Sequence, residues 1–600
     1  MLRNNEYYSM QNTFDKLHEQ SCNDYKFRNL MQYISKEENI LLAYRNIKKN
    51  KGSTTVGTDN LDITHYKEWD KDKFVSYFQN KLANYHPKSV RRVEIPKSNG
   101  KTRPLGIPCM DDRIIQQCIK QVLEPICEAK FHNHNYGFRP NRSTDHAIAR
   151  SIFLMNRNSL HYVVDIDIKG FFDNVNHAKL KKQLWSMGIQ DKNLISIIGK
   201  ILKSEIQGEG IPTKGTPQGG IISPLLSNVV LNELDWWISS QWETFETKHN
   251  YLFDRKTYID HSNKYRAIRK SELKEIMLVR YADDFKIFCR DYDTAQRIYK
   301  ATKQWLKERL DLDISPEKSK ITNVRKNRTE FLGFAFKVKP KSNKYVCQSN
   351  MSDKAKKNTI NKIKDQIRII QKNCNSKEVS KLNSIILGSH NYYNSATNVS
   401  LDFGEINFLV TKTLDIRLKN YVTDKPKKSE TYNKLYGDYN GKIRTIQNVT
   451  LFPIYGCKTK PPMCFSQNIN NYTVEGRQLI HKKLGGFKHL MEYLLRSNND
   501  SQSIEYNDNR ISLIAGQQGK CYVTGSQLEI GNMECHHKKP KVLGGTDDYK
   551  NLVWICEEAH KLIHSAKQET IEKYMKILNL DDKGFKKVNS LRKQVENLAI

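Results

Sequence analysis

The stretch VRYADDFKIF sets two adjacent carboxylates, Asp283 and Asp284, in a tight turn between two apolar, β-prone runs. Adjacent acids repel, and partial burial adds to that cost unless a cation neutralises them. For the dipeptide alone, an exposed Asp-Asp turn is the plain alternative. A second segment, HYVVDIDIKGFFDNVNH, changes the balance, because an apolar strand there delivers Asp165, Asp167 and Asp173 among aromatic residues. Alternate strand residues share a face, so Asp165 and Asp167 are expected to point the same way. Two strands bringing acids to one point make a site for two Mg2+ ions, one activating a primer 3′-hydroxyl and the other holding a triphosphate. That chemistry is nucleotidyl transfer. It depends on positioning and charge neutralisation more than on a protein nucleophile, and the sequence offers no obvious Ser/His/Asp set.

The elements that must position these acids are legible as a coarse pattern. Over about 25–200, amphipathic helical stretches alternate with short β-branched runs, as at 90–96 and 161–168, which predicts an α+β domain. A second such region, about 215–337, contains LVRYADDFKIF and TEFLGFAFKV, both predicted strands. Between them, 236–275 is polar, charged and largely helical in pattern, an expected insertion. Beyond Pro340 the chain becomes Lys-rich and helical, with Ile360, Ile363, Ile367 and Ile370 at helical spacing, so one face packs and the other is basic. Breakers and charges at 423–442 predict a boundary. A basic, aromatic, irregular segment follows to about Asp508, then a Cys/His module to about Ser565 and a charged helical tail.

The chain has 600 residues, too many for one core, and at ~150 residues per domain three or four units are expected. Lys and Arg number 99 against 65 Asp and Glu, a formal charge of +34, and the pI is near 9.5. Solubility needs far less charge, so a polyanionic partner is expected, nucleic acid ahead of an anionic membrane. Mean hydropathy is -0.70 and no segment approaches the ~20 apolar residues that span a bilayer, which excludes an integral membrane protein. The first residues lack an apolar signal core and carry Glu6, Asp15 and Glu19, so a cytoplasmic, nucleoid-associated protein is expected, and the twelve cysteines read as reduced thiols.

In order along the chain, the blocks VRRVEIPKSNGKTRPLGIP, HNYGFRPNRSTDHA, VVDIDIKGFFDNVNH, GTPQGGIISPLLSN, VRYADDFKIF, ISPEKSKI and FLGFAF are found. In these blocks the chain resembles a group II intron-encoded protein, a reverse transcriptase and maturase. The resemblance implies Asp167, Asp283 and Asp284 as catalytic metal ligands, with the Ile168 carbonyl completing the site and Asp165 outside it. Phe172 resembles the bulky residue that blocks the ribose 2′-hydroxyl, with core packing as its alternative. Lys97 and Arg103 resemble residues that grip the incoming triphosphate. Gln218 resembles the residue lying along the nascent base pair, and the flanking Gly219 and Gly220 are expected to let backbone approach that duplex. Lys318 resembles a lysine that can protonate the pyrophosphate leaving group. Phe331, Leu332 and Gly333 resemble the primer grip, with a buried strand as the alternative. In SIILGSHNYYNSAT, Tyr392 and Tyr393 match the family's paired-Tyr pattern and are free to stack on nucleic acid or to pack.

The segment CYVTGSQLEIGNMECHHKKPKVLGGTDDYKNLVWICEEAHKLIH resembles an HNH endonuclease, a ββα-metal module. His560 and His564 are four apart on a helical stretch and share a face, as ligands to one ion require. The resemblance implies His536 as third ligand, His537 as the general base, and Asn551 as the residue that fixes the hairpin and orients that base. Many relatives carry two CxxC pairs for a structural Zn2+. Here Cys521 is followed at that spacing by Thr524 and Cys556 by Ala559, so no four-cysteine site and no structural Zn2+ is expected; Cys521 and Cys556 are expected to pack, with a metal shared with Cys535 as the alternative.

The expected architecture is multidomain α+β: polymerase fingers and palm at 1–340, a helical thumb or maturase domain at 341–430, a DNA-binding region at 431–508, and the nuclease module with its tail at 509–600. Expected partners are the parent intron RNA, target double-stranded DNA and deoxynucleoside triphosphates. The rival readings are a domesticated or defence-associated reverse transcriptase and a splicing cofactor with a vestigial polymerase.

Overall fold

β-Branched Val163, Val164 and Ile166 favour a pleated, enclosed strand, and Tyr162–Ile166 is one. It pairs antiparallel with Asp284–Cys289 on one side and Lys320–Asn323 on the other, and Ile276–Tyr281 completes the sheet beyond Asp284–Cys289. Tyr281 faces Asp284 and Asp165 faces Lys286, so the register brings the acidic turn to one end of the sheet. Helices Thr144–Arg157, Ser223–Ser240 and Tyr292–Trp305 pack on these strands. With cover of that kind, Ile276–Tyr281 and Asp284–Cys289 are buried almost throughout rather than in alternation, Arg280 and Lys286 included. The computed structural model describes residues 2–600 except 68, 97–101, 256–258, 424, 426, 482–487 and 497–502.

The expected strand at 90–96 is Arg91–Pro96, paired antiparallel with Thr102–Ile107. TEFLGFAFKV divides into Thr329–Phe331 and Phe334–Lys341 around a two-residue turn, and Phe334–Lys341 pairs onward with Lys344–Met351. A boundary after residue 340 would therefore cut a hairpin, and the helical region starts at Asp353. Its helices Asp353–Lys372, Ser376–Tyr393 and Val399–Leu418 pack together, with Ile363, Ile367 and Ile370 buried at the expected spacing. The insertion at 236–275 is smaller and less helical than its sequence implies. Trp236 and Trp237 lie in helix Ser223–Ser240, and the rest holds a short hairpin, Phe253–Asp254 with Ile259–Asp260, and helix Ser262–Ile268.

Two further boundaries move. Val422–Thr423 pairs with Thr445–Ile446, and Ile446, Leu451, Ile454, Cys457, Phe465 and Tyr472 belong to the main hydrophobic core. A second core begins at Leu490 and reaches Leu591. The division thus falls between 472 and 490. Residues 431–457 form an apron on the helical region, anchored where Tyr436 meets His390 Nδ1 at 2.8 Å, and 465–472 runs onto the N-terminal polymerase segment, where Arg142 lies over Phe465 and Tyr472 donates to Glu124 at 3.0 Å. In the second core, the hairpin Glu534–His537 with Leu552–Ile555 packs between helix Ile504–Gly516 and helix Glu557–His564, and helices Gln568–Leu578 and Asp582–Gln594 close the outside. Among the described residues, no helix is long and apolar enough to cross a membrane.

Candidate functional site

The acidic turn is held from beneath by a buried cation. Ala282 has φ +59, an uncommon backbone state for a residue with a side chain. Arg280, fully buried, donates to the Ala282 carbonyl at 2.8 Å and to Asn228 Oδ1 at 3.0 Å, while its other nitrogens grip Asp235 at 2.7 and 2.6 Å. The two-pronged geometry offsets the desolvation of both charges. Gly137, from the HNYGFRP block, lies so close that a Cβ there would collide with the Ala282 amide, and Asn228 Nδ2 donates to the Gly137 carbonyl at 2.8 Å. Neighbouring blocks of sequence thereby fix one turn.

The acids it presents are electrostatically uncomfortable. Burial, with the charges of Asp165, Asp283 and Asp167, outweighs the opposing Lys286 and pushes the Asp284 carboxyl up to about 6. Burial and the Asp167 charge raise Asp283 as well, against Arg103 and Arg280. Asp167 follows the end of its strand, with its amide on Ser319 Oγ at 3.1 Å, its carbonyl accepting from the Ser315 amide at 2.8 Å, and Lys318 Nζ 3.1 Å from its carboxylate. Ile168 is buried and bridges Ile314. Asp165 is neutralised by the buried Lys286 at 2.5 Å, which gives a physical reason for an acid beside the site to stand outside the ligand set.

Around this cluster, Arg103 Nε donates to Gln218 Oε1 at 2.8 Å and Gln218 Nε2 donates to Asp173 Oδ1 at 2.9 Å, linking three sequence blocks beside half-buried Phe172. Gly219, at φ +115, has its close approach to protein: a Cβ would strike the Gly106 carbonyl, and the Gly106 amide donates to Gln218 O at 2.6 Å. Gly220 abuts Ser223 and Gln116. Lys97 lies outside the described residues. At the FLGF turn, Leu332 and Gly333 both have positive φ, as a two-residue hairpin loop requires. Phe331, Phe334 and Phe336 are buried, so the ring of Phe331 is withdrawn and the turn itself is what remains accessible. Tyr392 donates to the Leu332 carbonyl at 3.0 Å, and Tyr393 packs on Phe334 with centroids 5.3 Å apart. These contacts fasten the helical region to the turn, and Tyr392 keeps an exposed face.

In the second core, His536, His560 and His564 bring one ligand nitrogen each within 4.8 Å of the others. Burial, together with the neighbouring histidines, lowers His536 to about 3, and its Nε2 is buried with no hydrogen-bond partner. His537 projects from the same strand, with Nε2 at 2.7 Å from Asp547 Oδ1 and its ring stacked on Tyr506. Asn551 receives the Lys539 amide at 2.9 Å and donates to the carbonyls of Lys539 and Thr546 at 3.0 and 2.8 Å. Asn551 thus ties the hairpin loop together, and the side chain that meets the His537 ring nitrogen is Asp547. Cys521 and Cys556 pack Sγ to Sγ at 3.7 Å, and Cys535 forms no three-ligand group with them among the described residues.

Residues 95–336 match the reverse transcriptase (RNA-dependent DNA polymerase) family and residues 523–566 match the HNH endonuclease family. Protein YkfC of Escherichia coli (strain K12) is 31% identical over 321 residues, 50% of this chain and 80% of that protein. Group II intron-encoded protein LtrA of Lactococcus lactis subsp. cremoris is 31% identical over 373 residues, 56% of this chain and 60% of LtrA. The chain belongs to the group II intron-encoded proteins. Nuclear intron maturase 2, mitochondrial, of Arabidopsis thaliana is more distant, 26% identical over 208 residues, 27% of each chain.

Both centres of this group II intron-encoded protein suit metal ions by their donor chemistry. The orphaned nitrogen of His536 and its two neighbours offer imidazole ligands, and the paired aspartates with Asp167 offer hard oxygen ligands whose mutual charge a cation would relieve. Sequence reasoning missed Arg280, Asp235, Asn228, Lys286 and Asp547. The Asp in GGTDD was visible a few residues before Asn551, but no spacing rule pairs it with His537.

Proposed function

We propose that this protein nicks target DNA with its nuclease module, extends the resulting 3′ end along its parent intron RNA with its polymerase, and assists that intron's splicing. The carrying observation is that one chain holds an acidic strand turn and a histidine triad, each inside the domain whose family uses such groups. In this reading the four-stranded sheet is the palm, the hairpin Arg91–Pro96 with Thr102–Ile107 belongs to the fingers, residues 353–472 form a thumb that also meets intron RNA, and the second core is a ββα-metal nuclease.

Asp167, Asp283 and Asp284, with the Ile168 carbonyl, would hold two Mg2+ ions, which when bound neutralise the triphosphate and activate the primer hydroxyl. Arg103 and Lys97 would grip the triphosphate, and Gln218 would leave Arg103 for the nascent base pair. Phe172 would close the space a ribose 2′-hydroxyl needs. Lys318, 3.1 Å from the Asp167 carboxylate, would donate a proton toward pyrophosphate. The Leu332–Gly333 turn would carry the primer end, braced by Tyr392 and Tyr393.

In the nuclease, His536, His560 and His564 would hold one divalent ion, which when bound stabilises charge on the cleaved phosphodiester. His537 would accept the proton of the attacking water. Cys521, Cys535 and Cys556 would pack without a structural Zn2+. Basic helices and aromatic surface beyond Asp353 would bind phosphates and structured RNA.

The test separates the activities. Asp283→Ala with Asp284→Ala should abolish cDNA synthesis on poly(rA)/oligo(dT) while leaving splicing of the parent intron at low Mg2+ and DNA nicking intact. His564→Ala should do the converse. A wild-type chain that makes no cDNA would sink the polymerase reading and favour a splicing cofactor.

A further inference from the structure

His536 and His537 leave the same strand in opposite directions, and their surroundings differ in kind. His536 faces other imidazoles, whereas His537 Nε2 faces the carboxylate of Asp547 at 2.7 Å and its ring lies parallel to Tyr506, centroids 5.5 Å apart and planes 15° apart. Asp547 is itself fixed on every side. Its Oδ2 accepts from Ser503 Oγ at 2.5 Å and lies 3.1 Å from Lys541 Nζ, and its carbonyl accepts from Asn509 Nδ2 at 2.7 Å. Ser503 caps helix Ile504–Gly516, the helix that also carries Tyr506 and Asn509, so one helix start and one loop enclose the imidazole. Although burial opposes it, hydrogen bonds from Ser503, His537 and Lys541 keep the Asp547 carboxyl below the usual carboxylate range, so it is an acceptor at neutral pH.

We propose that Asp547 is a positioning residue of the nuclease: by accepting the Nε2 proton of His537 it fixes the tautomer whose bare Nδ1 faces the attacking water, and Tyr506 fixes the plane of the ring. The inference rests on the nuclease reading of the second core. In the step, a water proton moves to Nδ1 and Nε2 keeps its own proton against Asp547, which stays ionised. The water's electron pair forms the new P–O bond as the bond from phosphorus to the leaving sugar oxygen breaks. A 3′-oxygen must be the one that leaves if the cut end is to prime synthesis, and it takes its proton from solvent. Asp547 never touches the reacting atoms.

The geometry gives this role a signature that simple scaffolding would not share. Ser503 and Lys541 both claim Oδ2, and Lys541 can only donate. In Asp547→Asn the single oxygen is drawn to that side, which turns the amide NH2 toward Nε2. His537 must then place its proton on Nδ1, where it cannot accept one from water. Asp547→Ala leaves the tautomer free. A structural role predicts the reverse order, because Asn is nearly isosteric with Asp and keeps most hydrogen bonds.

The assay is nicking of supercoiled plasmid carrying the joined exons by the full chain bound to its intron RNA, with cDNA synthesis on the same preparation as internal control. Asp547→Ala should lower nicking kcat about tenfold and Asp547→Asn about a hundredfold, each with KM and cDNA synthesis unchanged. In a His537→Ala background neither change should slow nicking further. The inference is overturned if Asp547→Asn nicks faster than Asp547→Ala, or if either change multiplies with His537→Ala. Wild-type nicking that is lost in His564→Ala upholds the nuclease reading separately, and a wild-type chain that cannot nick overturns both.

Discussion

Replacing Asp284 with Asn should strengthen the polymerase fold while abolishing DNA synthesis. In the metal-free protein, burial and the surrounding acids, partly offset by Lys286, push this carboxyl from 3.8 up to about 6. A folded-state pKa above the unfolded one means that the unfolded chain loses the proton first, so the ionised group favours unfolding as pH rises through that interval. About two pKa units at 1.36 kcal/mol each give about 3 kcal/mol, fully present above pH 6 and gone below about pH 3.8. Water reaches the partly exposed carboxylate and screens some of this, so a gain of about 1–3 kcal/mol is expected for the neutral isostere at pH 8, shrinking to under about 1 kcal/mol at pH 4.5. Urea unfolding in EDTA at the two pH values, read at the transition of the reverse transcriptase core, measures it. Adding Mg2+ should stabilise the wild type and not the variant. The reasoning fails if Asp284→Asn is less stable than wild type at pH 8 in EDTA, or if its advantage is the same at both pH values.

Gly219→Ala should cost about 2 kcal/mol or more and depress cDNA synthesis while sparing nicking, because a Cβ at φ +115 meets the Gly106 carbonyl; thermal melts and parallel activity assays check it. Phe172→Val should raise the kcat/KM ratio for ribo- over deoxyribonucleotides by about tenfold to a hundredfold, and an unchanged ratio in primer extension would return Phe172 to a packing role. Asn551→Ala removes the bonds to Lys539 and Thr546 that tie the hairpin loop and should destabilise the nuclease core by about 2–3 kcal/mol, seen in its own unfolding transition with the polymerase core unaffected.

What the sequence made legible were features with a local period. Val163, Val164 and Ile166 announced a strand, Ile363, Ile367 and Ile370 a helix face, and His560 with His564 a shared ligand direction. What it concealed depends on register between distant segments. Nothing in Lys286 says that it faces Asp165, or in Arg280 that it will find Asp235 45 residues away. Acids and cations are common, and only strand pairing selects partners. The segment 431–472 reads as a separate region because Tyr432, Tyr436, Phe465 and Tyr472 are buried without periodicity, among breakers and charges that resemble a linker. Gly219 shows the need for close approach in its sequence, but its approach to the Gly106 carbonyl depends on pairing between distant segments.

The two centres also differ in the charge that their donor groups bring together. Imidazoles are neutral when their proton affinity is low, and burial lowers both His536 and His564, which eases the gathering of the histidine set within 4.8 Å. Carboxylates at neutral pH are charged. The polymerase acids are accordingly not drawn to within that distance as a set of three, with Asp167 leaning on Lys318 and Asp165 on Lys286, and Asp284 keeping a raised proton affinity. Divalent cations would relieve the repulsion among them, and a triphosphate that carried them would bring the neutralising charge together with the substrate.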